Sequence, residues 1–130
     1  MLKRLMAILL ITTSLFADLE WAEDYTEALK QAKQENKKVL LMFSREDCNA
    51  CNKMKREVYT DPEVSNYVNS FFVPVEIDME YDSRKGFKVF ATPTYYFLDS
   101  DGKQIGRVMV GGADAKSFLK KLQEVEHSKK

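Results

Sequence analysis

Val39-Leu40-Leu41-Met42-Phe43 runs into Ser44-Arg45-Glu46-Asp47 and then into Cys48-Asn49-Ala50-Cys51. Five consecutive apolar residues are too few for a helix and suit a strand buried on both faces. The polar residues end that strand, and from Cys51 the apolar positions Met54 and Val58 keep to one helical face as far as Thr60. Both cysteines are therefore expected where a buried strand gives way to a helix. Unpaired backbone N–H groups and the helix dipole stabilise a thiolate at that point, which makes Cys48 a candidate nucleophile for disulfide exchange. Cys51 follows one turn later on the same face, placed to attack the resulting mixed disulfide. The first sulfur should be accessible and the second more buried.

Other readings of such a pair are a structural disulfide and a metal site. A two-residue loop closes little chain entropy, which counts against the first. The single histidine, His127, lies in the C-terminal tail, and Met42 and Met54 read as core, which counts against zinc or copper. Haem attachment needs a histidine directly after the second cysteine, and residue 52 is Asn.

Working outward, Trp21, Tyr25, Ala28, Leu29 and Ala32 fall at helical spacing and predict an amphipathic helix over 21–35. Asp61-Pro62 is a helix start, with Val64, Tyr67, Val68 and Phe71 as its apolar face. Val73, Val75 and Ile77 alternate with Pro74 and Glu76 in a strand over 72–78, and a short helix is expected around 83–90. Thr94 to Leu98 is an aromatic, β-prone run. The turn Asp99-Ser100-Asp101-Gly102 leads to a second hairpin strand over 104–110, which Gly111-Gly112 ends. Phe118, Leu119, Leu122 and Val125 define a last helix, with a frayed charged tail after Glu126. The predicted architecture is α/β: a central mixed sheet flanked by helices, with one helix before the first core strand.

The 20 basic and 20 acidic residues give zero formal charge. Lys3 and Arg4, the apolar run from Leu5 to Phe16 and the small Ala17 match the three regions of a secretory signal peptide. Removing residues 1–17 takes the 20 bases to 18 against 20 acids, a net charge of −2. Such a balance leaves no basic footprint for nucleic acid. Residues 18–130 suffice for one domain with one core. An exported chain works where disulfides persist; an uncleaved N-terminal anchor is the alternative reading of the same segment.

Over its length from Trp21 to about Leu122 the chain resembles the thioredoxin superfamily. In particular it looks like exported thioredoxin-like proteins and the periplasmic C-terminal domain of the disulfide reductase DsbD. The resemblance rests on Ala28…Ala32-Lys33…Asn36-Lys37-Lys38-Val39-Leu40-Leu41, Cys48-Asn49-Ala50-Cys51, Asp61-Pro62-Glu63-Val64, Ala91-Thr92-Pro93-Thr94 and Phe97-Leu98-Asp99…Gly102. It implies Cys48 as nucleophile and Cys51 as resolving cysteine. It also implies a cis peptide at Pro93 facing them, with Thr92 offering backbone hydrogen bonds to an extended substrate. Gly111, Gly112 and Ala113 would form a third loop that substrate backbone can approach.

The implied function is a periplasmic, monomeric thiol–disulfide oxidoreductase that reduces protein disulfides, needs no bound cofactor or metal, and is recharged by an inner-membrane electron donor. A disulfide oxidase or isomerase, a metal carrier, and a non-catalytic binding or chaperone module on the same fold are the alternatives. Three positions depart from the pattern: Asp47 stands in place of a tryptophan, Met42 in place of a buried aspartate, and Pro74 in place of its lysine partner. The usual buried proton acceptor is thus missing, leaving Glu46, Asp47 or solvent to serve Cys51. Glu46 and Asp47 disfavour a Cys48 thiolate while Arg45, Lys53, Lys55 and Arg56 favour it. Each exposed charge contributes only a few tenths of a kcal/mol, roughly, so charge does not set the direction of electron flow.

Overall fold

A computed structural model describes residues 18–128. Its elements are α1 (Tyr25–Glu35), β1 (Lys38–Ser44), α2 (Asn49–Lys53) continuing into a π-helical turn (Met54–Val58), α3 (Pro62–Phe71), β2 (Phe72–Asp78), β3 (Thr94–Leu98), β4 (Met109–Val110) and α4 (Ala115–His127). The strands form one mixed sheet in the order β2-β1-β3-β4. β1 lies parallel to β2, with Lys38 opposite Phe72, and antiparallel to β3, with Val39 opposite Leu98.

The alternation of side chains along β1 divides the core in two. Val39, Leu41 and Phe43 join Val73, Val75, Ile77, Tyr96 and Leu98 beneath Ala28 and Ala32 of α1. Leu40 and Met42 point the other way, to a cluster that holds Phe72, Tyr95, Phe97, Phe118, Leu122 and both cysteines. Helices thus cover both faces, as the apolar run in β1 requires.

Three expectations need correction. Helix α1 begins at Tyr25 because the Asp24 carboxylate accepts the Glu27 N–H at 2.8 Å and caps it there. Trp21 and Ala22 precede it in an irregular strap whose Ala22 N–H reaches the Pro74 carbonyl at 2.8 Å. Asn69 of α3 clamps the same strap, accepting from the Glu20 N–H at 2.9 Å and donating to the Asp18 carbonyl at 2.8 Å. No helix forms over 83–90, since Lys85 (φ 52°) and Gly86 (φ 86°) adopt left-handed conformations that break one. The second hairpin strand shrinks to a Leu98–Gln104 bridge and the Met109–Val110 pair, because Gly106 (φ 69°) turns the chain between them. Helix α4 ends at His127, within one residue of the expected Glu126, and residues 129–130 of the tail lie outside the described residues. The signal-peptide segment 1–17 lies outside the described residues. Among those described, no helix is long and apolar enough to cross a membrane.

Phe118 is fully buried, with its ring centroid 5.2 Å from that of Tyr95 and 6.1 Å from that of Tyr59. Asp61 caps α3 through the N–H groups of Glu63 and Val64. Phe118→Ala should cost about 3–5 kcal/mol of stability, and Asp61→Ala about 1 kcal/mol, both read by urea unfolding. Equal losses would show that the cysteine-side core does not pack as described.

Candidate active site

The end of β1 delivers the cysteines. Four residues after Phe43 the chain turns back, and Cys48 becomes the N-cap of α2 in an extended conformation. Its Sγ accepts the backbone N–H of Cys51 at 3.1 Å, the capping bond that a thiolate would also take. Cys48 and Cys51 are joined by a disulfide, with Cα atoms 5.2 Å apart. Cys48 is the more exposed of the two, as expected, yet at 4% against 1% it is itself buried. The expected open accessibility of the first sulfur is therefore not seen in the oxidised pair, which belongs to the cluster around Met42 and Tyr95.

The peptide bond between Thr92 and Pro93 is cis. The Pro93 carbonyl accepts the Gly111 N–H at 2.8 Å, so the proline loop and the glycine loop are bonded to each other. Gly111, at φ 90°, occupies a left-handed conformation that suits glycine. Gly112 lies over the cysteine helix: a Cβ there would meet Met54 Sδ at 3.5 Å and the Ala50 carbonyl at 3.9 Å, ordinary contacts. The next residue, Ala113, donates its N–H to Met54 Sδ at 3.4 Å. The side-chain hydroxyl of Thr92 is buried and has no hydrogen-bond partner among the described residues. A cleft of about 540 Å³ runs beside Ala50 and Met54 and is bounded by Gly112 and Ala113.

Sequence reasoning missed a polar group within the core cluster that holds the cysteines. The Tyr59 hydroxyl donates to Met42 Sδ at 2.9 Å and is hydrogen-bonded to the Tyr95 hydroxyl. The π turn brings Tyr59 there: its N–H bonds the Met54 carbonyl five residues back, widening the helix just before it. Lys55 of the same turn pairs with Glu76 of β2. A single signal was available, in that Glu76 interrupts the apolar run of β2 directly across from Met42. Glu46 and Asp47, the acids nearest the cysteines in sequence, are exposed.

Burial, above all, pushes both tyrosine hydroxyls well above the ordinary tyrosine range, and the Glu76 carboxylate adds to the effect in each. Their folded-state values exceed the unfolded ones, so the stability they confer is complete below about pH 10 and is lost as pH rises beyond it. In an alkaline titration followed by phenolate absorbance, Tyr59 and Tyr95 should ionise only as the protein unfolds. Ionisation of all six tyrosines with the fold intact would contradict this placement.

Comparison with known proteins agrees with this geometry. The disulfide bond reductase DsbH of Chlamydia pneumoniae is 26% identical over 121 residues, covering 82% of this chain and 72% of that protein. The thiol:disulfide interchange protein DsbD of Haemophilus ducreyi is 32% identical over 92 residues, covering 65% of this chain but only 16% of DsbD. The solution structure of a thioredoxin from Thermus thermophilus superposes with a TM-score of 0.73 at 29% identity, covering 83% of this chain and 87% of that one. These relatives are thiol–disulfide oxidoreductases by name, and here the two cysteines stand at disulfide distance. Residues 25–126 match the thioredoxin-like domain, and the chain belongs to that family.

Proposed function

We propose that this protein reduces disulfides in exported proteins through Cys48 and Cys51, with signal peptide 1–17 directing it to the periplasm. One observation carries the reading: Cys48 caps α2 and is disulfide-bonded to the next cysteine on that helix, so the pair forms the two-electron couple itself. Reduced Cys48 attacks a substrate disulfide as a thiolate, helped by the Cys51 N–H that already points at its sulfur. Cys51 then displaces the substrate, leaving the protein oxidised and the substrate reduced by two electrons.

Thr92 and Pro93 would align an extended substrate segment beside the pair, with Gly111 and Gly112 opposite. Backbone pairing of that kind confers broad rather than narrow specificity. The reducing direction and an inner-membrane donor of DsbD type draw support from the names of the relatives. The protein would work as a monomer.

Cys51→Ser should trap a covalent Cys48–substrate complex, visible on non-reducing gels of periplasmic extract and released by dithiothreitol. If no adduct accumulates, the nucleophile assignment is wrong. Equilibration with graded dithiothreitol buffers should place the pair near the thioredoxin potential of about −270 mV. A value near about −120 mV would make the protein a disulfide donor instead.

A further inference from the structure

Resolution of a mixed disulfide requires Cys51 to lose its thiol proton, and Met42, at the strand position nearest in pattern to an acceptor, has no basic atom. The residue opposite Met42 on β2 is Glu76, and the one opposite on β3 is Tyr95. Directly opposed residues share a face of a sheet. Glu76, Met42 and Tyr95 therefore form one row across the face that carries the cysteine cluster.

Glu76 is also held from the helix side. Lys55, four residues after Cys51, places Nζ 2.9 Å from both carboxylate oxygens. A cavity of about 590 Å³ is lined by Lys55, Tyr59 and Glu76, together with Leu19 and Trp21 of the strap. That volume is large enough for several waters, and its polar walls offer them partners. Tyr59 connects it to the interior, since its hydroxyl bonds Met42 and Tyr95 within the cluster that contains Cys51.

We propose that Glu76, held by Lys55, is the proton acceptor for Cys51 in the resolving step. The proposal rests on the thiol–disulfide reading above. The Cys51 proton passes through water to the Glu76 carboxylate, and the Cys51 sulfur attacks Cys48 Sγ. The bond between Cys48 and the substrate sulfur breaks, and the substrate leaves as a thiolate. The protein is oxidised to the Cys48–Cys51 disulfide and the substrate is reduced. Glu76 later releases its proton to solvent.

Other charged or titratable groups face the same carboxylate. Asp18 of the strap lines the cavity with it, and Glu23, Asp24, Asp82 and Lys85 line an adjoining one. Tyr59 and Tyr95 stay neutral there. Lys55 is the cation that meets it directly.

The test follows thionitrobenzoate release after Cys48 has been capped at acid pH with Ellman's reagent and the pH then jumped. Wild type should release the label through Cys51, and Cys51→Ser should not; equal slow release by both would overturn the oxidoreductase reading itself. Glu76→Gln should slow release at neutral pH on the order of 100-fold, with the rate recovering in alkali as hydroxide takes over. Lys55→Met removes the contact that holds the carboxylate and should slow release at neutral pH as well, whereas Lys55→Arg should keep it fast. Faster release by Glu76→Gln would mean that the carboxylate only repels the thiolate. An unchanged profile, with or without a drop in Tm, would reduce Glu76 to a structural role; either result overturns the proposal while leaving the oxidoreductase reading intact.

Discussion

Burying one strand on both faces governs this molecule. Every residue of β1 from Val39 to Ser44 is buried, and both cores hang from its alternation. A slip of one residue would exchange Leu40 and Met42 with Val39, Leu41 and Phe43, and neither core could accept the exchange. Two ladders of opposite sense, parallel to β2 and antiparallel to β3, lock that register. Because the cysteine turn starts where β1 ends, the place of Cys48 is inherited from the strand.

That dependence also explains what could be read from the chain. β1, β2 and β3 are runs of apolar or β-branched residues whose burial leaves few alternatives, and each appears where its pattern puts it. Errors cluster where one residue's backbone state decides the outcome. Asp24 chooses a capping conformation and removes a turn from α1, while Lys85, Gly86 and Gly106 adopt positive φ and interrupt a helix and a strand. Nothing local announces the π turn, because what it positions, Tyr59 against Met42 and Lys55 against Glu76, lies across the sheet.

The candidate site was legible to the same degree. Cys48 and Cys51 declare themselves by spacing and context, and Thr92-Pro93 by likeness to a family. The polar surroundings did not. Tyr59 drew no reading and Tyr95 was one residue of an aromatic strand, and only the assembled fold turns their hydroxyls toward each other, so that each satisfies a group that would otherwise be costly to bury. Glu76 stood only as an alternating partner of Val75 and Ile77, whereas its parity places it on the face of the cysteine cluster. A neutral hydroxyl pair in the cluster that holds the disulfide supplies polarity without burying a charge.

The strap at residues 18–22 bears on how the domain would carry load. Asn69 grips it through one amide that holds the Glu20 N–H and the Asp18 carbonyl, and Ala22 is bonded to β2. These bonds are to backbone, so the grip is indifferent to which side chains the strap carries. Tension applied at Asp18 would pass directly into α3 and the outer edge of the sheet rather than spooling out a slack tether. Pulled from that end, the domain should behave as a rigid body until the Asn69 clasp tears.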